Sequence, residues 1–231
     1  MPELPFLIEI VLGFAVIGGL LAAVAWIRGR VADRRQRSDE LATIRDLANE
    51  DITQYGEELS LLGRELDGAQ LDDATRIAYQ RALEAYEYSQ AVVAGLQEAA
   101  EVTRISDTLA TGRYSLACLR AQATGRPLPE LRPPCFFNPH HGPSIKDVIW
   151  NQPFRGTRKI PACAQDIARL TNGEEPNLRI VVIDGRRQAY WDAGRVALPY
   201  ARGYFPGAHT SDTLRKGALS TQYRQINSIG L

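Results

Sequence analysis

The sequence predicts a membrane-anchored α+β chain with one N-terminal transmembrane helix, a helical hairpin or short coiled coil, and a small β-hairpin module. Three observations carry this. Residues 10–27 hold no charge, residues 32–124 hold no proline, and four prolines fall within residues 125–134. Hydrophobic content of 45% and charged content of 23% over 231 residues exclude wholesale disorder. The expected organisation is an anchor and basic collar at 1–30, helices at 31–124, a linker at 125–134, a β-rich module at 135–207 and a flexible tail at 208–231.

The run from Leu4 to Ile27 has the length of a transmembrane helix, about 17–25 residues. A signal peptide would need a basic leader and a small-residue cleavage site. Here Glu3 precedes the run and Trp26 closes it. Arg28, Arg30, Arg34, Arg35 and Arg37 follow at once, so the positive-inside rule puts the C-terminal region in the cytoplasm and the N-terminus outside. Ala15, Gly19 and Ala23 form a small-residue face suited to helix pairing, a weak sign of self-association.

In the next segment Ile52, Tyr55, Leu59, Leu62 and Leu66 follow a 3–4 spacing, and Leu41 and Ala48 extend it backwards. Ser38 and Arg45 interrupt this seam, and its shortness favours a compact bundle over an extended dimeric coil. Asp72 or Asp73 is positioned to cap a second helix with an apolar set of Ile77, Leu83, Tyr86, Val92, Val93 and Leu96. A third helical stretch runs from Ile105 to Leu119. Tyr79, Tyr86, Tyr88 and Tyr114 read as core or half-buried surface, with an aromatic groove as the alternative.

Beyond the linker, Val148-Ile149-Trp150 and Thr157 to Ile160 read as a hairpin, and residues 164–171 as a short helix ended by Asn172-Gly173. Ile180 to Ile183 and Arg186 to Trp191 form a second hairpin across Asp184-Gly185. Residues 194–207 read as an irregular loop with aromatic anchors. A Cys/His loop, a hairpin and a Cys at the mouth of a helix is the plan of small zinc modules. Zinc takes about four ligands from thiolate, imidazole or carboxylate. Cys135, His141 and Cys163 supply three, Asp166 an uncommon fourth, and His140 is the alternate. Two other accounts stand beside it: buried thiols with a turn-capping His, or a Cys135–Cys163 disulfide if the topology were reversed.

The segments 112–120 (GRYSLACLR), 127–130 (PLPE), 132–144 (RPPCFFNPHHGPS), 158–166 (RKIPACAQD), 189–191 (AYW) and 203–205 (GYF) are distinctive. Together they resemble the cytoplasmic part of uncharacterised actinobacterial single-pass membrane proteins, some of which carry an extracellular TPM domain. The likeness covers roughly residues 50–207 and implies the topology read from the arginines. About three residues precede the apolar run, so no TPM domain is expected here, and the resemblance implies no catalytic residues.

No phosphate loop, dinucleotide fingerprint, zincin motif or nucleophile elbow is present. The expected function is therefore a membrane-anchored scaffold without catalysis. It would contact the lipid bilayer and other membrane or cytoplasmic proteins, itself included. One alternative is a zinc-stabilised module binding anionic lipid or nucleic acid, although nucleic acid is not the expected partner. Another is a thiol or metal enzyme using Cys163 with His141 as base. The net charge of zero conceals opposed blocks. Residues 28–37 carry +4, residues 38–107 carry −11 and residues 108–231 carry +9. A basic module facing acidic helices, its own or a neighbour's, follows from that pattern.

Overall fold

The computed structural model describes the backbone of residues 3–68, 72–152, 156–183 and 185–205, and side chains from residue 18 onward except Gln152. The chain is mixed α+β. Among the described residues there are five α-helices, α1 (Glu3–Glu65), α2 (Asp73–Ala94), α3 (Val102–Ala123), α4 (Ala164–Thr171) and α5 (Gly194–Tyr204). There are also two antiparallel hairpins, β1 (Lys146–Gln152) with β2 (Gly156–Ala162), and β3 (Ile180–Ile183) with β4 (Arg186–Ala189). The chain divides into two units, Met1–Ala42 and Thr43–Leu231.

The first unit is helical. Leu20, Leu21, Val24, Trp26 and Ile27 are exposed along it, and the Arg30 guanidinium lies 4.1 Å from the centre of the Trp26 ring. The expected transmembrane segment lies largely outside the residues with described side chains, as does Ala15, while Gly19 and Ala23 of its small-residue face are exposed. Among the described residues no helix is long and apolar enough to cross a membrane. The tail at 208–231 also lies outside the described residues.

In the second unit the predicted seam is buried against the chain's own helices: Ile52, Tyr55, Leu59, Leu62 and Leu66 are all at most 8% exposed. A dimeric coil is not needed to cover them. Glycines set the register. A Cβ at Gly56 would meet the Tyr86 ring at 2.7 Å, and one at Gly63 the Tyr79 hydroxyl at 3.0 Å. Seven residues forward on α1 therefore match seven backward on α2, an antiparallel pair with tyrosines seated in glycine notches. Tyr55 crosses the other way, donating from its hydroxyl to the Ala82 carbonyl (2.8 Å) above Gly112 of α3.

Asp72 caps α2 as expected, its carboxylate accepting from Thr75 N. The buried face of α2 keeps Val93 of the predicted set, with Leu96 buried just beyond the helix, and otherwise differs from it. It is made of Thr75, Ala82, Ala85, Ser89 and Val93, while Ile77 is exposed. Small residues win because they let α2 approach α3 closely, and the bulkier side chains are displaced to the flanks. Tyr79 and Tyr86 serve packing, but Tyr88 and Tyr114 line a groove of about 820 Å³ with Ile77, Leu128 and Leu131.

The second correction is α5, which replaces the irregular loop expected at 194–207 and contains Pro199. Ala197, Tyr200, Ala201 and Tyr204 are buried, so packing outweighs the proline and glycine penalties. Thr103 Oγ1 donates to the Pro199 carbonyl at 3.0 Å, and Gly203 lies against the Thr103 carbonyl and Ser106. Backbone cannot yield as a side-chain tip can. Gly203→Ala is thus expected to cost at least the ~1–3 kcal/mol of an overpacked core, read as a lower urea midpoint with unchanged m-value. The strand expected through Trp191 instead ends at Ala189 and tightens into a 3₁₀ turn, Tyr190–Asp192. That turn seats Trp191 on Phe136, with ring centres 4.8 Å apart.

Candidate metal centre

The four residues singled out by the sequence come together. The chain leaves the proline-rich stretch through a bridge between Pro134 and Pro143, and Cys135 N donates to the Gly142 carbonyl at 3.0 Å. Inside this loop Asn138 caps a 3₁₀ turn, Pro139–His141, and Gly142 closes it at φ +77°, a conformation glycine adopts without strain. The β1–β2 hairpin then delivers Cys163 to the N-cap of α4, where its sulfur accepts from Asp166 N. Asp166 sits one turn in, directed back at the cap.

The ligand atoms of Cys135, His141, Cys163 and Asp166 all lie within 4.8 Å of one another. Asp166 Oδ2 is 3.2 Å from Cys135 Sγ, 2.9 Å from His141 Nδ1 and 3.5 Å from Cys163 Sγ, and Cys163 Sγ is 3.5 Å from His141 Nδ1. Zinc–ligand bonds of about 2.0–2.3 Å place tetrahedral neighbours roughly 3.3–3.8 Å apart. The four separations need only tenths of an ångström of adjustment. Asp166 Oδ1 is held by Asn177 N at 2.9 Å, which orients the carboxylate. Cys135 and Asp166 are fully buried, Cys163 nearly so, and the His141 side chain is 13% exposed.

The two thiols differ in acidity. Hydrogen bonding from Cys135, helped by His141 and outweighing burial, lowers Cys163 to about 5. Burial pushes Cys135 well above the usual thiol range. For His141, burial opposes protonation, but Cys163 and Asp166 outweigh it and raise the imidazole. Cys163 thus offers a thiolate at neutral pH, while Cys135 and His141 hold protons that a divalent ion would displace on binding.

His140, the alternate ligand, points elsewhere. Its Nε2 is 2.6 Å from Asp51 Oδ1 on α1. Arg179 Nη2 donates to the same oxygen (3.0 Å), while Tyr200 and Tyr204 donate to Oδ2 at 2.7 and 2.5 Å. Arg179 also forks onto Glu50 at 2.9 Å through both Nη atoms, and Arg113 Nη2 reaches the Asp51 carbonyl at 3.4 Å. Asp51 is 1% exposed. Burial alone would raise its carboxyl, yet His140, Arg179 and Arg113 together hold it well below the carboxylate range. Burial keeps His140 below its ordinary value despite Asp51.

The sign of the resulting pH effect is fixed by Asp51. A depressed carboxyl contributes stability that is present in full above the ordinary value near 3.8 and drains as pH falls below it. Below about pH 4, wild-type protein is thus expected to lose stability more steeply than Asp51→Asn. Urea midpoints measured between pH 2.5 and 6 would show it.

Sequence reasoning did not find this carboxylate network. Asp51 stands beside Glu50 in an acidic segment and resembles any solvated pair. The available signal was its place on the seam, three residues after Ala48 and four before Tyr55. Arg113 and Arg179 carry no mark separating them from the other arginines. Comparison with family models, curated proteins and solved structures returns no match.

Proposed function

We propose that this chain is a zinc-stabilised, non-catalytic interaction module held at a membrane by its N-terminal helix. The convergence of four donors, two of them thiols, within 4.8 Å carries the proposal. Closed four-ligand sites rich in sulfur are characteristic of structural zinc, whereas catalytic sites keep one position open. The membrane reading is supported by the exposed apolar side chains from Leu20 to Ile27, by Trp26 beside Arg30, and by the arginine collar that follows. That collar favours a cytoplasmic module. The groove at Tyr88 and Tyr114, with exposed Ile145 just before β1 and Ile149 on it, offers surface for protein partners.

One observation favours a second reading, a thiol enzyme: Cys163 sits at a helix N-cap with its thiol lowered to about 5. A relay, however, uses the two nitrogens of its histidine for different partners. Here Cys163 and Asp166 both face Nδ1 of His141. That is the geometry of donors around a common centre.

Full-length chain purified in detergent is expected to carry one zinc per molecule by elemental analysis, and Cys163→Ser almost none. Metal-free wild-type protein that remains fully folded, with Cys163 alkylating rapidly at neutral pH, would transfer the support to the thiol enzyme. Deleting residues 1–30 is expected to move the chain from the membrane pellet to the soluble fraction.

A further inference from the structure

Two adjacent histidines on one 3₁₀ turn serve two different centres. His141 enters the four-donor cluster, and His140 enters the Asp51 network. The turn is stiff. Asn138 caps it through His140 N at 3.0 Å, His141 N donates to the Asn138 carbonyl at 3.0 Å, and Gly142 N donates to the Pro139 carbonyl at 3.2 Å. Proline fixes its own φ at the first position. The backbone that carries one imidazole therefore cannot shift without moving the other.

A second link runs through the backbone: Arg179 N donates to the Phe137 carbonyl at 2.8 Å, so the residue that clamps Glu50 and Asp51 also holds the loop between Cys135 and His141. Every donor that Asp51 can accept is in place, two on each oxygen. A saturated, buried carboxylate of this kind has one arrangement, and it fixes the imidazole it holds.

We propose that Asp51 is a positioning residue for the metal centre, acting through His140, so that metal occupancy and the clamping of α5 and Arg179 onto α1 are energetically coupled. This rests on the zinc reading above. Coupling is reciprocal: whatever factor the Asp51 network adds to metal affinity, bound metal returns to that network. The partners that face Asp51 come from the 3₁₀ turn, the segment before β3, α5 and, through its own carbonyl, α3. Metal at one end thus governs how firmly the β-module grips the helix.

The test uses full-length chain in detergent micelles with Co²⁺ as the probe and Zn²⁺ as competitor. Wild type is expected to take up one Co²⁺ with the intense visible bands of a tetrahedral thiolate site. His140→Phe and Asp51→Asn are expected to bind Co²⁺ about 10–100-fold more weakly, with shifted bands. His140→Gln, which keeps a donor for Asp51, should recover part of that loss. Leu59→Ala, a buried α1 residue two turns away, should lower the thermal midpoint yet keep wild-type affinity and bands.

No Co²⁺ uptake by wild type sinks the zinc reading itself. Normal uptake by wild type, His140→Phe and Asp51→Asn alike leaves the metal site standing and overturns the coupling. Equal weakening in Leu59→Ala also overturns it, since general instability would then account for the effect. Should the network variants fail to fold, hydrogen exchange of wild type with and without Zn²⁺ decides. Protection must rise more at Asp51, Arg179 and Tyr200–Tyr204 than at Tyr79–Tyr86, and a uniform rise rejects the proposal.

Discussion

Stripping the metal from the full-length chain with a chelator is expected to collapse the module between residues 135 and 171 before the helices melt. The reason is electrostatic and steric at once. Asp166 is fully buried, and Cys135 lies against its oxygen at 3.2 Å. Without a cation, the Cys163 thiol, lowered to about 5, ionises 3.5 Å from that carboxylate. Two negative groups in a dry site then repel each other. Structural zinc contributes apparent binding energies of about 10–16 kcal/mol in isolated finger peptides at pH 7. That is comparable to the whole stability of a typical domain, about 5–15 kcal/mol.

The readout is built in. Phe136 follows Cys135 directly and packs on Trp150 and Trp191, so loss of the centre should reach both indoles. Tryptophan emission is expected to shift to the red on chelation and return on adding Zn²⁺, whereas far-ultraviolet helical signal should fall little. Cys135→Ser should behave like the chelated protein. Its metal affinity should drop by more than the roughly 10–100-fold that follows loss of a ligand's own hydrogen-bond partner. Unchanged emission on complete zinc removal would show that the module stands without metal.

Asp51→Ala is expected to be the most damaging single change among the helices. It deletes the acceptor for His140, Arg179, Tyr200 and Tyr204 together and leaves a buried guanidinium without its inner carboxylate. Breaking a buried pair by removing one partner costs about 3–5 kcal/mol. Glu50 is half in solvent and can keep part of Arg179's charge satisfied, but it cannot reach the tyrosines' place. Equilibrium urea unfolding should show the loss. Asp51→Asn, which keeps the shape, should lose less, and a cost below ~1 kcal/mol for Asp51→Ala would mean that the network contributes little.

The four members of the candidate metal cluster were legible in the sequence because their signal is local. Cys135 and His141 share one loop closed by Gly142, and Cys163 and Asp166 share the first turn of α4, where an N-cap residue and the third residue after it always face each other. Hairpin β1–β2 then needs only to bring two such pairs together. Helix α4 and the cap at Asp72 were legible for the same reason. Helix α5 was not, because Gly194, Pro199 and Gly203 oppose it locally and only its packing on α3 overrides them.

The amino-acid sequence by itself determined the α+β order, the seam on α1, the four clustered donors and the separation of acidic helices from a basic module. Each of these depends on neighbours a few residues apart or on simple charge counting. The tertiary structure decided which carboxylate among many became buried, which arginines reached it, and which of two adjacent histidines joined the four-donor cluster. Those choices join α1 to Arg179, Tyr200 and Tyr204 across more than a hundred residues of chain. No periodicity or spacing records them, because the energy that selects them exists only once water has been excluded from their meeting point.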